Sequence, residues 1–293
     1  MYLPEITLHE AETLDQAAEL LNRYGNEARL FAGGTDLFVD LKTGRVGAGH
    51  LVSLQRIGSL RGIEEAADGL RIGALTTVSQ LNRSKVVRQR YRPIVDASSR
   101  MAAPQVRNAA TVGGNIASAV PCADLPPILT AMNASVTVWS KGQERSEPLE
   151  SFITNVRETR LGPGDVLTSV FVPSQPRHFG AAYERFSLRD GNAIAVASVA
   201  ASLQLDENDV IRAARIVLGA VAPMPVLATS AANVLIGGAP SDELWDRAAR
   251  EAEQAARPIC DVRGTDDFRR RIVAVMARRA LAAALVRARE REA

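Results

Sequence analysis

Two Gly-Gly pairs constrain this chain more than any other feature. One lies in "LFAGGTDLFVD" (30–40), the other in "ATVGGNIASAVPCADLPP" (109–126). Glycine has no Cβ, so backbone at these points can take positive φ or let another group approach closely. Residues 28–34 read as a short buried strand running into the first pair. Residues 35–44 then read as a short helix, capped by Thr35 or Asp36 and stopped by Gly44. After the second pair, 124–132 reads as another short helix, with Asp124 as N-cap and prolines in its first turn.

Two functions fit such turns. Consecutive N–H groups before a helix form an anion nest, and the helix dipole adds to it. Two nests, one from each half of a domain, would grip the two phosphates of a dinucleotide, with Thr35 and Asn115 adding side-chain hydrogen bonds. The plainer reading is a pair of tight turns that need positive φ. Other nucleotide signatures are missing: no GxGxxG opens a βαβ unit and no GxxxxGK[ST] occurs. That argues against a Rossmann dehydrogenase or a P-loop NTPase.

The rest of the chain reads as mixed α and β. A helix spans 13–25, with Thr13 and Gln16 as a capping box. Hairpins turn at Asp68-Gly69 and Lys141-Gly142, and 165–173 is a buried strand. Between them, a helical region runs from about Val78 to Met101 and breaks near Pro93. Past a boundary near 174–178 the texture changes to a long antiparallel hairpin (194–221) and helices at 226–236, 241–255 and 266–290. The Arg-rich last helix reads as amphipathic, with a solvated basic face. At 293 residues and 46% hydrophobic, the chain suits two packed domains.

A net charge of +2 and 4% aromatics give no footing for nucleic acid. Two distant cysteines and three scattered histidines exclude an iron–sulfur cluster or zinc site held by this chain alone. No apolar run reaches the length of a membrane span, and the N-terminus lacks a signal-peptide pattern, so the expected location is cytoplasmic.

The two glycine motifs, the strand "DVLTSVFVP" and the segment "YERFSLRDGNAIAVASV" together resemble the FAD-carrying medium subunit of molybdenum hydroxylases, the family of the carbon monoxide dehydrogenase medium subunit and the xanthine dehydrogenase flavin domain. The likeness covers essentially the whole chain. It implies an α+β fold: a flavin domain of the p-cresol methylhydroxylase and vanillyl-alcohol oxidase type at 1–176, in two lobes of about 1–57 and 58–176. A smaller C-terminal α+β domain of antiparallel sheet and helices follows at 177–293. It places Ala32, Gly33, Gly34, Thr35, Asp36 and Leu37 around the FAD pyrophosphate, and Thr111, Gly114, Asn115 and Ala117 on its other side. Asp124 matches an acid that contacts the cofactor, or is only a helix cap. Leu167 matches an apolar residue packed on a cofactor ring, or is strand core. Arg185 matches a position where some members carry Lys near the isoalloxazine, or is an exposed strand residue. Some members stack an aromatic residue on the flavin where this chain reads "NAIA"; Ile194 stands at that place and Ala193 where an acid is common. The cysteine-rich insertion of the 4-hydroxybenzoyl-CoA reductase branch is absent.

The implied role is electron transfer within a heterotrimer, assembled as a dimer of heterotrimers. A large partner would carry the molybdenum cofactor and a small partner two [2Fe–2S] clusters. FAD on this chain would pass electrons to NAD, a quinone or O2. The chain supplies no catalytic acid, base or metal ligand in this reading. Two alternatives are a self-contained FAD-dependent reductase or oxidase on the same fold, and a non-catalytic assembly module without FAD.

Overall fold

The computed structural model describes residues 3–290. The chain opens with β1 (Thr7–Glu10), α1 (Leu14–Tyr24), β2 (Ala28–Phe31), α2 (Leu37–Lys42) and β3 (His50–Ser53). The strands form a small parallel sheet in the order β1-β3-β2, each crossover carrying a helix. Thr13 Oγ1 caps α1 by accepting from the Gln16 N–H at 3.2 Å. Gln16 Oε1 accepts from Glu12, one residue before the position that would complete the expected capping box.

A second unit follows. β4 (Ile63–Ala66) and β5 (Gly69–Gly73) form the first hairpin. Then come α3 (Val78–Arg83), α4 (Lys85–Arg90), α5 (Arg92–Ser99), α6 (Pro104–Ala109), α7 (Val112–Ala117) and α8 (Leu125–Ala131). The chain continues through β6 (Ser135–Ser140), β7 (Gln143–Pro148), α9 (Leu149–Phe152), β8 (Ile153–Asn155), β9 (Glu158–Thr159) and β10 (Val166–Pro173). A five-stranded antiparallel sheet results, in the order β4-β5-β10-β6-β7. Lys141 and Gly142 both take positive φ, 49° and 82°, as a two-residue hairpin turn requires. The region from Val78 is broken near Pro93 as expected, and once more before it, giving three helices. Ser84 and Tyr91 leave helical geometry, and Pro93 sits in the first turn of α5, where no N–H is needed.

The last unit contains β11 (Phe179–Phe186), β12 (Ala197–Leu205), β13 (Ile211–Gly219), β14 (Val226–Leu227), α10 (Thr229–Asn233), α11 (Asp242–Ala255) and α12 (Asp266–Glu290). Its strands pair antiparallel in that order. The helix expected at 226–236 begins as β14, and only 229–233 are helical.

Helix α12 lies on β11 through a stripe of small residues, Ala277, Ala280, Ala284 and Ala288, all fully buried. Contact is backbone to backbone: a Cβ on Gly180 would sit 1.9 Å from the Ala284 carbonyl oxygen. The arginines of α12 are not simply a solvated face. Arg269 is 2% exposed and pairs with Asp261 at 2.5 Å. Arg287 donates to the Ala181 carbonyl at 2.8 Å and pairs with Asp96 on α5. One apolar core runs from Leu125 and Ile128 on α8 into Ala181, Tyr183, Ala200 and Val217 of the last sheet. The last sheet is thereby fixed against the wall that carries the second glycine motif.

Candidate cofactor site

A cavity of about 700 Å³ opens between the parallel sheet, the five-stranded sheet and the loop that precedes β12. That volume falls within the ~300–1,000 Å³ of typical ligand clefts. Every candidate from the sequence lines it except Arg185.

The first wall is the turn from β2 into α2. Gly34 has φ +70°, and a Cβ there would meet the rings of Phe31 and Phe38 at 2.6 and 2.7 Å. At Gly33 a Cβ would lie 2.1 Å from the Ala109 carbonyl oxygen, so the two glycine motifs touch across the cavity. Ala32 is held by its carbonyl, which accepts from Gln55 Nε2 at 2.6 Å. The N–H groups of Gly33, Gly34, Thr35, Asp36 and Leu37 have no partner among the described residues. Asp36 occupies the N-cap position of α2, yet neither it nor Thr35 makes a side-chain cap bond. Since α2 is six residues long, what this wall can offer an anion is its free amides rather than a macrodipole.

The second wall departs from the expected nest. Gly113 and Gly114 lie inside the first turn of α7, and their amides are already used. Gly113 N–H donates to the Ala74 carbonyl at 2.9 Å, Gly114 N–H to Thr111 Oγ1 at 3.0 Å, and Asn115 N–H to the Thr111 carbonyl at 2.9 Å. Thr111 is thus a buried helix cap. Gly113 lets α7 press on the end of β5, where a Cβ would approach Ala74 Cβ to 2.6 Å. What this wall offers is the Asn115 side chain, whose Oδ1 is buried with no partner, and the bare surface at Gly114 and Ala117.

The third wall is the start of β10. The pairing of β10 with β6 shifts register between Leu167 and Ser169, a bulge that re-aims the strand beside the cavity. Leu167 is 5% exposed and lines the cavity, so it is both strand core and wall. Next to it, Asp165 pairs with Arg145 at 2.9 Å and accepts from the Gly162 N–H at 2.9 Å. Burial alone would raise its pKa, but hydrogen bonds from Ser140, Gly162 and Arg145 outweigh that and hold it below the ordinary carboxylate value. A lowered folded-state pKa contributes stability above the unfolded value, lost as pH falls through the folded one. Asp165→Asn is therefore expected to flatten the acid side of the stability profile, read by urea unfolding from about pH 6 to about pH 3. An acid limb identical to wild type would contradict this.

The fourth wall joins α8 to β11. Asp124, at the N-cap position of α8, makes no cap bond; its Oδ1 accepts from the Tyr183 hydroxyl at 2.7 Å and lies 3.6 Å from Arg185 Nη1. Its Oδ2 keeps no hydrogen-bond partner among the described residues. Burial raises the pKa of Asp124, opposed by Arg185, the Tyr183 hydrogen bond and Arg100. Burial likewise raises Cys122, helped by Asp124, so that thiol stays protonated. Arg185 is not the exposed strand residue of the plainer reading but is 5% exposed, behind the wall. Ile194 stands at the mouth, 50% exposed.

Sequence reasoning passed over Tyr183, whose burial pushes its pKa well above the usual value, and the partners of Arg185. Only the coincidence of Tyr and Arg two apart on one strand, both on the inward-facing register, hinted at them. No group of three or more metal-ligating side chains exists among the described residues.

Free amides, an orphaned buried amide oxygen, a carboxylate with an open oxygen and a bare glycine surface suit a phosphate-bearing, hydroxyl-rich cofactor. Fold and site thus define a cleft for a phosphate-bearing cofactor. Residues 4–175 match the family model for the FAD binding domain in molybdopterin dehydrogenase, and 181–284 that for the CO dehydrogenase flavoprotein C-terminal domain. The chain is 33% identical to the 6-hydroxypseudooxynicotine dehydrogenase complex subunit alpha of Paenarthrobacter nicotinovorans, over 95% of this chain and 94% of that one. It is 32% identical to the carbon monoxide dehydrogenase medium chain of Afipia carboxidovorans, over 96% and 97%. The solved carbon monoxide dehydrogenase of Hydrogenophaga pseudoflava superposes with a TM-score of 0.94 at 31% identity, covering 98% of this chain and 99% of that one. The chain belongs to the family of FAD-binding medium subunits of molybdenum hydroxylases, and is an oxidoreductase flavoprotein.

Proposed function

We propose that this chain is the electron-transfer flavoprotein of a heterotrimer, taking electrons from [2Fe–2S] clusters of a small partner and passing them to an external acceptor. A large partner carries the molybdenum cofactor and oxidises the substrate, and the complex is a cytoplasmic dimer of heterotrimers. The acceptor is drawn from NAD, a quinone or O2. In this reading residues 1–176 form the flavin domain, in lobes of about 1–57 and 58–176, and 177–293 the C-terminal domain. Among the described residues, no helix is long and apolar enough to cross a membrane.

The observation that carries the proposal is the pairing of unused amides at 33–37 with a facing turn whose Gly113, Gly114 and Asn115 amides are committed. Anion binding then falls to Gly33, Gly34, Thr35 and Asp36, flanked by Ala32 and Leu37. Asn115 Oδ1 and the open Asp124 oxygen accept from cofactor hydroxyls. Thr111, Gly114 and Ala117 shape the opposite side, and Leu167 and Ile194 supply apolar contact at the ring or adenine. FAD supplies the redox chemistry, exchanging electrons singly or in pairs. The protein binds, orients and shields it.

Asn115→Ala is expected to weaken FAD binding about tenfold, the worth of one hydrogen bond to a buried acceptor. Titration of the flavin-free protein with FAD checks this, and an unchanged Kd would remove Asn115 from the site. The assembly is tested by co-expressing the chain with the reading frames beside its gene. A yellow protein that co-elutes with a larger and a smaller subunit, and contains molybdenum and iron, supports the proposal. A yellow protein that stays alone and turns over a substrate would favour a self-contained reductase. A colourless one would favour an assembly module.

A further inference from the structure

Two segments distant in sequence face each other at the mouth of the cavity: Met101-Ala102, and Ala193-Ile194 in the loop before β12. Arg185 lies behind both. Its side chain is 2% exposed and does not line the cavity. Nη1 donates to the Arg100 carbonyl at 2.6 Å, and Nη2 to the Ala193 carbonyl at 2.5 Å. The same Nη1 lies 3.6 Å from Asp124 Oδ1, on the α8 wall. One guanidinium therefore joins three pieces of the cavity rim. Its Nε is buried without a partner, so the head is oriented by these three contacts.

The arrangement is specific to arginine. Its planar fork presents donors in two fixed directions, which an ammonium on a flexible stem cannot reproduce. A buried cation also needs a counter-charge. Asp124 supplies it, held in place by the Tyr183 hydroxyl at 2.7 Å. A weaker tie crosses the same gap, from the Asn192 N–H to the Ala102 carbonyl at 3.3 Å. Arg189 curls the loop by donating to the Asn192 carbonyl at 2.7 Å.

We propose that Arg185 is a positioning residue that staples the rim at residue 100 to the rim at residue 193, with Asp124 as its counter-ion, and so sets how tightly the mouth closes over FAD. This rests on the flavin site proposed above. It differs from a cation acting directly on the isoalloxazine, since the staple works through two carbonyls and is lost even when the charge is kept.

Arg185→Lys separates the two. The staple predicts that this variant, loaded with FAD, releases it about tenfold or more faster, as losing one charge-assisted hydrogen bond implies. Iodide should also quench its bound flavin more strongly than in wild type. Unchanged release and quenching would overturn the staple. Should the variant fail to fold, hydrogen exchange on flavin-free wild type reads whether the two rims are held together. The Asn192 amide, which donates to the Ala102 carbonyl across the same gap, is expected to be protected, and exchange at the rate of a free loop would overturn the proposal. A wild type that binds no FAD would refute the flavin site instead, while the exchange result would still report on the staple.

Discussion

Gly33→Ala is expected to yield a folded, colourless protein. The added Cβ would stand 2.1 Å from the Ala109 carbonyl oxygen, a backbone atom on the facing wall. A flexible side chain would swing away, but a carbonyl held at the end of α6 cannot, so the two walls must part. Overpacking of this kind costs about 1–3 kcal/mol, and rigid backbone puts it near the top of that range. Since the strain falls on the contact that joins the two glycine motifs, it reads out as lost cofactor affinity, about 100-fold. Flavin absorbance after gel filtration and far-UV circular dichroism measure the two halves of this expectation. Retained yellow colour at wild-type affinity would mean that the walls need not meet.

Gly180→Ala is expected to cost the most stability. Here the Cβ would lie 1.9 Å from the Ala284 carbonyl oxygen and 2.4 Å from the Ala288 nitrogen. Both belong to the backbone of α12, so the helix must lift from β11 along its alanine stripe. Val273, Ala277, Ala280 and Leu281, now fully buried, would lose packing together. About 3 kcal/mol is expected, or a fall of about 6–12 °C in Tm for a chain of this size. Calorimetry on the flavin-free protein measures it without interference from ligand. Because β11 also carries Tyr183 and Arg185, a loss of flavin affinity should follow. A Tm within a degree or two of wild type would show that α12 relaxes without cost.

The parts legible in the sequence are those governed by local chemistry. Gly34 needs a left-handed turn, Lys141-Gly142 a two-residue hairpin, and the 194–221 alternation a pair of strands; each needs only neighbours in the chain. Misreadings arose where a distant partner decided the outcome. Asp124 has the sequence position of a helix cap, but Tyr183 and Arg185, some sixty residues on, claim its carboxylate. Gly113-Gly114 look like a second anion nest, but Ala74 and Thr111 take the amides, and Gly113 serves close packing. Arg269 and Arg287 fit an exposed basic face by periodicity alone, yet Asp261 and Asp96 draw them inward. The bulge at 167–169 left no mark, because an extra residue in one strand shows only against its partner.

In the proposed site one wall, not both, binds the diphosphate through backbone amides. A crystal structure of the FAD-loaded protein tests it most directly. Phosphate oxygens are expected within hydrogen-bond distance of the N–H groups between Gly33 and Leu37, with the Gly113, Gly114 and Asn115 amides keeping their present partners. A diphosphate bound instead by the 113–115 amides, or lying outside this cavity, would contradict it.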